Sequence, residues 1–158
     1  MIIASRLVLV LTAPLSVLVV ARVATADVAQ TDPMLVVNTT DFHWKPKDAL
    51  PPGATGAVLR GDPAKGAYDF VAKFPDKFTV PMHSHTNEMT VVMLEGTMVI
   101  GRPKKPDVSI AKDGLFVLPA KMAYTAHCET SCTFLVHGQK PFDIIYTNAS
   151  DDPRKKKP

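Results

Sequence analysis

The sequence predicts an all-β protein: antiparallel strands closed into a sandwich or jelly-roll barrel, preceded by a loop-rich N-terminal arm. Three observations carry this. Nine short β-patterned runs follow one another from Tyr68 to Thr147, separated by the turn-forming stretches "PDK", "RPKKPD", "KDG", "ETS" and "GQKP". No run of ten or more residues keeps the i, i+3, i+4, i+7 apolar stripe of a helix. And many short antiparallel strands in one small chain must close up or pair faces to hide their edges.

Taken in order, the chain opens with Arg6, a 14-residue apolar run from Leu7 to Val20, and "ARVATAD". Ala24-Thr25-Ala26 has the small-x-small form that signal peptidase accepts, so residues 1–26 read as a secretory signal cleaved after Ala26. Spanning a bilayer takes roughly 20 apolar residues. This run is shorter, contains Pro14 and is stopped by Arg22, so no stable membrane anchor is expected after cleavage, and the expected location is secreted or periplasmic.

Residues 27–66 form the arm, with Pro or Gly every few positions and one short strand expected at Ala57–Arg60. The barrel spans 67–150. It begins where the period changes to two, in "YDFVAKF", with Tyr68, Phe70, Ala72 and Phe74 on one face. The remaining runs are "KFTVPMHSH", "MTVVML", "TMVIG", "VSIA", "GLFVLP", "AYTAHC", "TFLVHG" and "FDIIYT". Residues 151–158 are a basic tail.

Charge excludes one class of partner. Of the 18 basic residues, Arg6 and Arg22 leave with the signal, and "RKKK" at 154–157 holds four more, so the body of the chain is acidic against its 15 Asp and Glu. An acidic body with a short basic end lacks the basic face that binding nucleic acid requires.

Cys128 and Cys132 flank three polar residues in "HCETSC". That spacing suits two opposed positions across a tight hairpin, within disulfide reach, and a bridge is the default in an oxidising compartment.

The chemistry-bearing stretch is "PMHSHTNEMTVVMLEG", residues 81–96. Residues two apart on a strand point the same way, so His83 and His85 project together, and paired imidazoles suit zinc, copper, iron or nickel. Phe78, Val80 and Met82 form an apolar face opposite the histidines. Either the histidines face solvent, or a bulge at Pro81 resets the alternation and turns them inward.

At these residues the sequence resembles the cupins, in particular small single-domain cupins of the RmlC-like jelly-roll class that carry a secretion signal. His83, Ser84, His85 and Gly96 fit the family's first motif, and "DGLFVLPAKMAY", from Asp113 to Tyr124, is similar to the second. The likeness runs from about Gly61 to Pro153. It implies a jelly-roll barrel with a metal in its mouth, held by three histidines and a glutamate. It also implies dioxygenase-type chemistry where that metal is redox-active, and homodimerisation, for which no segment argues independently.

The chain departs from the pattern at two ligand places. Met89 stands where the glutamate belongs, with Glu88 one position early, and Tyr124 stands for the third histidine. Lys121 replaces a motif glycine. The candidate metal set is therefore His83, His85 and Glu88, a two-histidine, one-carboxylate arrangement suited to iron. With Met89 in place of Glu88 the set suits copper, and zinc and manganese complete the expected ions. The candidate ligand pocket is Met89, Val91, Tyr124 and His127, with Ala126 beside them. Simple alternation turns His127 away from the face that Tyr124 uses. His137 reads as a strand-end histidine with a structural hydrogen bond.

No nucleophile elbow, phosphate loop or dinucleotide fingerprint occurs, so hydrolase, kinase and dehydrogenase readings have no support. Two functions remain open. One is a monocupin that binds a metal ion or a small-molecule ligand through the His-x-His pair; the other is a metal-free cupin acting as a binding or structural module.

Overall fold

A computed structural model describes residues 35–155 of the chain; the expected signal peptide and the last three residues of the tail lie outside the described residues. Eleven strands occur in the described part. They are β1 (Lys45–Pro46), β2 (Thr55–Gly61), β3 (Tyr68–Phe74), β4 (Thr79–Ser84), β5 (Met89–Glu95), β6 (Thr97–Arg102), β7 (Lys105–Ala111), β8 (Leu115–Leu118), β9 (Tyr124–Cys128), β10 (Cys132–Gly138) and β11 (Ile145–Tyr146). Each of the nine expected runs contributes one strand. The arm adds β1 and β2, and β2 is longer than the short strand expected there.

Two antiparallel sheets face each other. One has the order β1-β2-β3-β10-β5-β8 and the other β11-β4-β9-β6-β7. Chain neighbours such as β4 and β5, or β9 and β10, lie in opposite sheets, so the chain crosses repeatedly between layers, as in a jelly roll. Alternation along β3, β5, β9 and β10 turns Phe70, Ala72, Val91, Met93, Ala126 and Val136 into the space between the sheets. One end of that core is filled by aromatic rings: Phe74 lies 4.4 Å from Phe78 and 4.9 Å from Phe134, centroid to centroid.

Cys128 and Cys132 are joined in a disulfide, but not across a hairpin. Cys128 ends β9 and pairs with Met98 of β6 in one sheet, whereas Cys132 starts β10 and pairs with Phe74 of β3 in the other. The bridge therefore ties the two layers together at a crossover. The spacing satisfied disulfide geometry either way; which sheet each strand joins depends on pairings elsewhere in the chain.

Candidate functional site

The site begins with a one-residue irregularity. Along β4 and β9, Val80 pairs with Ala126 and His83 with Tyr124, so Pro81 and Met82 together face the single residue Thr125. This is a β-bulge, at the proline. Without it, Val80 pointing inward would force His83 outward. With it, Val80, His83 and His85 all face inward, at 1%, 3% and 6% exposure.

Both imidazoles are held by main-chain carbonyls. The His83 Nδ1–H donates to the carbonyl of Pro81 at 2.7 Å, and the His85 Nδ1–H donates to the carbonyl of Asp143. Those bonds fix the tautomers and leave each Nε2 as an acceptor. At His85 the acceptor is used: the Tyr124 hydroxyl donates to Nε2 at 2.7 Å. At His83 no hydrogen bond to Nε2 forms among the described residues. The rings pack closely, His83 lying 5.1 Å from His85 and 4.3 Å from Tyr124.

Burial sets the charge state. Desolvation drives His83 down to about 4 against the opposing pull of the Pro81 carbonyl, and His85 adds a small repulsion in the same direction as burial. Desolvation also lowers His85, against the pull of the Asp143 carbonyl and carboxylate. Burial pushes the Tyr124 phenol far above its ordinary value. All three groups are therefore neutral at physiological pH.

They form the polar corner of an otherwise apolar cavity of about 60 Å³, whose wall includes Met89, Val91, Ala126, Phe116, Phe142 and Leu50. A cavity near 150 Å³ accepts benzene, so a ring enters here only if the wall yields. Leu50, Phe116 and Phe142 are its half-buried members.

The structure thus brings His83, His85, Met89, Val91, Tyr124 and Ala126 to one place and leaves two candidates elsewhere. Glu88 is exposed and lines an outer groove with Asn87 and His137. It precedes Met89, which points inward, so strand alternation turns Glu88 outward. His127 likewise lies on the outer face, its Nδ1 2.8 Å from the Thr79 hydroxyl. His137 donates from Nδ1 to Asp69 at 2.7 Å, on the outside of its sheet.

Sequence reasoning missed Asp143. Its carbonyl holds His85, and its carboxylate accepts from the Thr86 amide at 2.7 Å and from the Thr86 hydroxyl, pinning the chain beyond β4. A carbonyl anchor uses no side-chain chemistry, so no residue type signals it. Leu50, from the arm, was missed for the complementary reason, since nothing in a Pro-rich stretch marks the one leucine that reaches the core.

A two-sheet jelly roll with His83 on its fourth strand and His85 just beyond it, both facing inward, has the fold of the RmlC-like cupins. The chain belongs to the family described as a domain of unknown function (DUF4437), whose model matches residues 24–145. No curated protein sequence matches the chain. Among solved structures it is similar to the polyketide cyclase RemF from Streptomyces resistomycificus, with a TM-score of 0.65 and 19% identity over 77% of this chain and 91% of that one. It is also similar to an RmlC-like cupin from Ralstonia eutropha JMP134, with a TM-score of 0.58 and 19% identity over 74% of each chain. A salicylate 1,2-dioxygenase from Pseudaminobacter salicylatoxidans aligns with a TM-score of 0.50 and 13% identity over 56% of this chain but only 27% of its own length. Identities this low carry the fold and nothing of the activity.

A resident metal of the kind the cupin fold implies meets a poor donor set. Cupins hold it with three histidines and a glutamate, but this corner offers two imidazoles, a thioether and a phenol. Its one carboxylate candidate, Glu88, points outward. Among the described residues no three His, Cys, Asp or Glu side chains converge to hold an ion. Iron, manganese and zinc at a catalytic site take three protein ligands of nitrogen, oxygen or thiolate type; here the third would have to be the Tyr124 oxygen, which burial keeps protonated and which is already bonded to His85 Nε2.

Proposed function

We propose that this protein is an exported cupin that binds a small organic molecule in its barrel by direct hydrogen bonding, without a resident metal. The observation that carries this reading is the 2.7 Å bond from the Tyr124 hydroxyl to His85 Nε2. It stands where the cupin motif has a third metal ligand, and it occupies the lone pair that His85 would otherwise give to an ion. What remains for a ligand is the His83 Nε2 acceptor, the second lone pair of the Tyr124 oxygen, and apolar walls. That combination suits a molecule with one hydroxyl or enol group on an apolar body.

Binding fits the site better than proton-transfer catalysis. A base whose conjugate acid has been driven down to about 4 accepts a hydrogen bond readily but takes a proton poorly near neutral pH. The cyclase and dioxygenase among the fold neighbours act on organic molecules, which supports the ligand class by analogy of fold alone. The Cys128–Cys132 bridge and the N-terminal apolar run support export.

A second reading, copper held by His83, His85 and the Met89 thioether, is favoured by Met89 on the same wall and by carbonyl anchors that free each Nε2 from carrying the proton.

Elemental analysis of protein purified without chelator from metal-rich medium separates the two. We expect well under one equivalent of any transition metal, together with saturable phenol-induced shifts of the Val91 and Ala126 amides that disappear in His83→Phe. A stoichiometric ion that is lost in His83→Ala overturns the metal-free reading, and copper as that ion establishes the second.

A further inference from the structure

The two sheets are not joined at every flank. β7 ends the order of one sheet and β8 that of the other, and between them runs a cleft of about 230 Å³ open to solvent. Its walls are Val108, Ile110, Phe116, Val117 and Met122, and its one charged member is Arg102. This volume exceeds the roughly 150 Å³ that takes a benzene ring. Phe116 stands between the cleft and the barrel cavity, lining both.

Arg102 is the unusual member. The other described arginines are paired with carboxylates, Arg60 with Asp69 at 2.7 Å and Arg154 with Asp152 at 2.8 Å. Arg102 has no such pair among the described residues. Its Nη2 donates to the Pro106 carbonyl at 3.2 Å, but its Nε–H is buried and has no acceptor. Native structures rarely leave a shielded donor unmatched. The shielded Nε–H lies out of a ligand's reach, but a guanidinium with no carboxylate partner, at the edge of an apolar slot, is complementary to a carboxylate with a hydrocarbon body. The cross-strand neighbour of Arg102 is Lys105, so the local field also favours an anion.

We propose that the β7–β8 cleft is a binding site for a small amphipathic carboxylate, with its headgroup on Arg102 and its apolar body between Val108, Phe116 and Val117. This site is separate from the His83–His85–Tyr124 corner and stands whether or not that corner binds a ligand.

Sodium octanoate, below its micelle-forming concentration, and the uncharged 1-octanol are the probes, followed by amide shifts of the full mature chain. The expected result is saturable octanoate shifts centred on Arg102, Val108, Val117 and Met122, and affinity lowered at least about tenfold by Arg102→Gln, the loss of one charge-assisted pair. The same substitution should leave 1-octanol binding within about twofold, since the tail contacts remain. Val117→Glu, at a half-exposed position outside the buried core, should weaken octanoate by like-charge repulsion and serves if Arg102→Gln does not fold. Equal octanoate affinity in wild type and either variant overturns the proposal, as do shifts mapping away from the cleft or an absence of saturable shifts.

Discussion

Lys121 shows how a single residue can keep a motif's shape while dropping its usual amino acid. The cupin motif has glycine here, and the chain still adopts the left-handed backbone, with φ of 64°, while the Lys121 amide donates to the His85 carbonyl at 2.7 Å. A side chain in that region costs about 1–2 kcal/mol, part of which a glycine returns through its looser unfolded chain. Lys121 is exposed, so removing its side chain loses no packing. Lys121→Gly should therefore raise stability by about 1 kcal/mol in urea unfolding; an unchanged or lower midpoint would show that the turn is not strained. The substitution was visible in the sequence; the left-handed backbone at Lys121 was not, and appears only in the structure. The inward turn of His83 was not determined in the same way, because "TVPMHSH" is compatible with either face until the pairing of β4 with β9 places the bulge. Glu88 could not be assigned for the same reason. One residue of register decides whether it or Met89 meets the histidines, and register is a property of two strands together.

Among the elements, turns and crossovers set what the strands can do. Gly96 joins β5 to β6 at φ of 77°, and a Cβ there would lie 2.1 Å from the Ser131 carbonyl oxygen. Both conformation and space are forbidden to a side chain, so Gly96→Ala should destabilise by about 2 kcal/mol or more, with a lower thermal midpoint as the readout. The nearby disulfide closes a short loop between β9 and β10 and links the sheets. On the chain-entropy view so short a loop contributes about 2 kcal/mol. The double substitution Cys128→Ala with Cys132→Ala should lower unfolding stability by about that amount and leave the fold intact, since the core rings of Phe74, Phe78 and Phe134 remain. A loss of the amide spectrum would instead make the bridge a requirement for sheet docking. Strand existence was readable from period and turn residues. The identity of neighbours was not, since β9 and β10 look like a hairpin locally and only the long-range pairings with β6 and β3 separate them.

At the scale of the whole molecule, the chain encloses two neutral histidines in a hydrocarbon core, and that choice governs its response to acid. In the unfolded chain each imidazole binds a proton below about 6.5; in the folded chain burial drives His83 down to about 4 and moves His85 in the same direction. Between those values the unfolded state holds more protons, so stability rises with pH across the window and is lost as pH falls from 6.5 toward 4. His83 alone should account for about 2 kcal/mol of loss between pH 7.5 and 4.5. The outer carboxylates act lower on the scale. Burial pushes Asp69 up, but the hydrogen bonds from His137 and Arg60 outweigh it and hold the group below its ordinary value. Its contribution is therefore lost only as pH falls below the normal carboxylate range. Urea unfolding at pH 7.5, 6.0 and 4.5 should show a steep decline for wild type and a shallower one for His83→Gln, with the difference between the two constant above pH 6.5 and changing only below it. Parallel curves would mean that His83 is hydrated or charged in the folded protein, and with it the neutral, hydrogen-bonding corner on which ligand binding rests would fail.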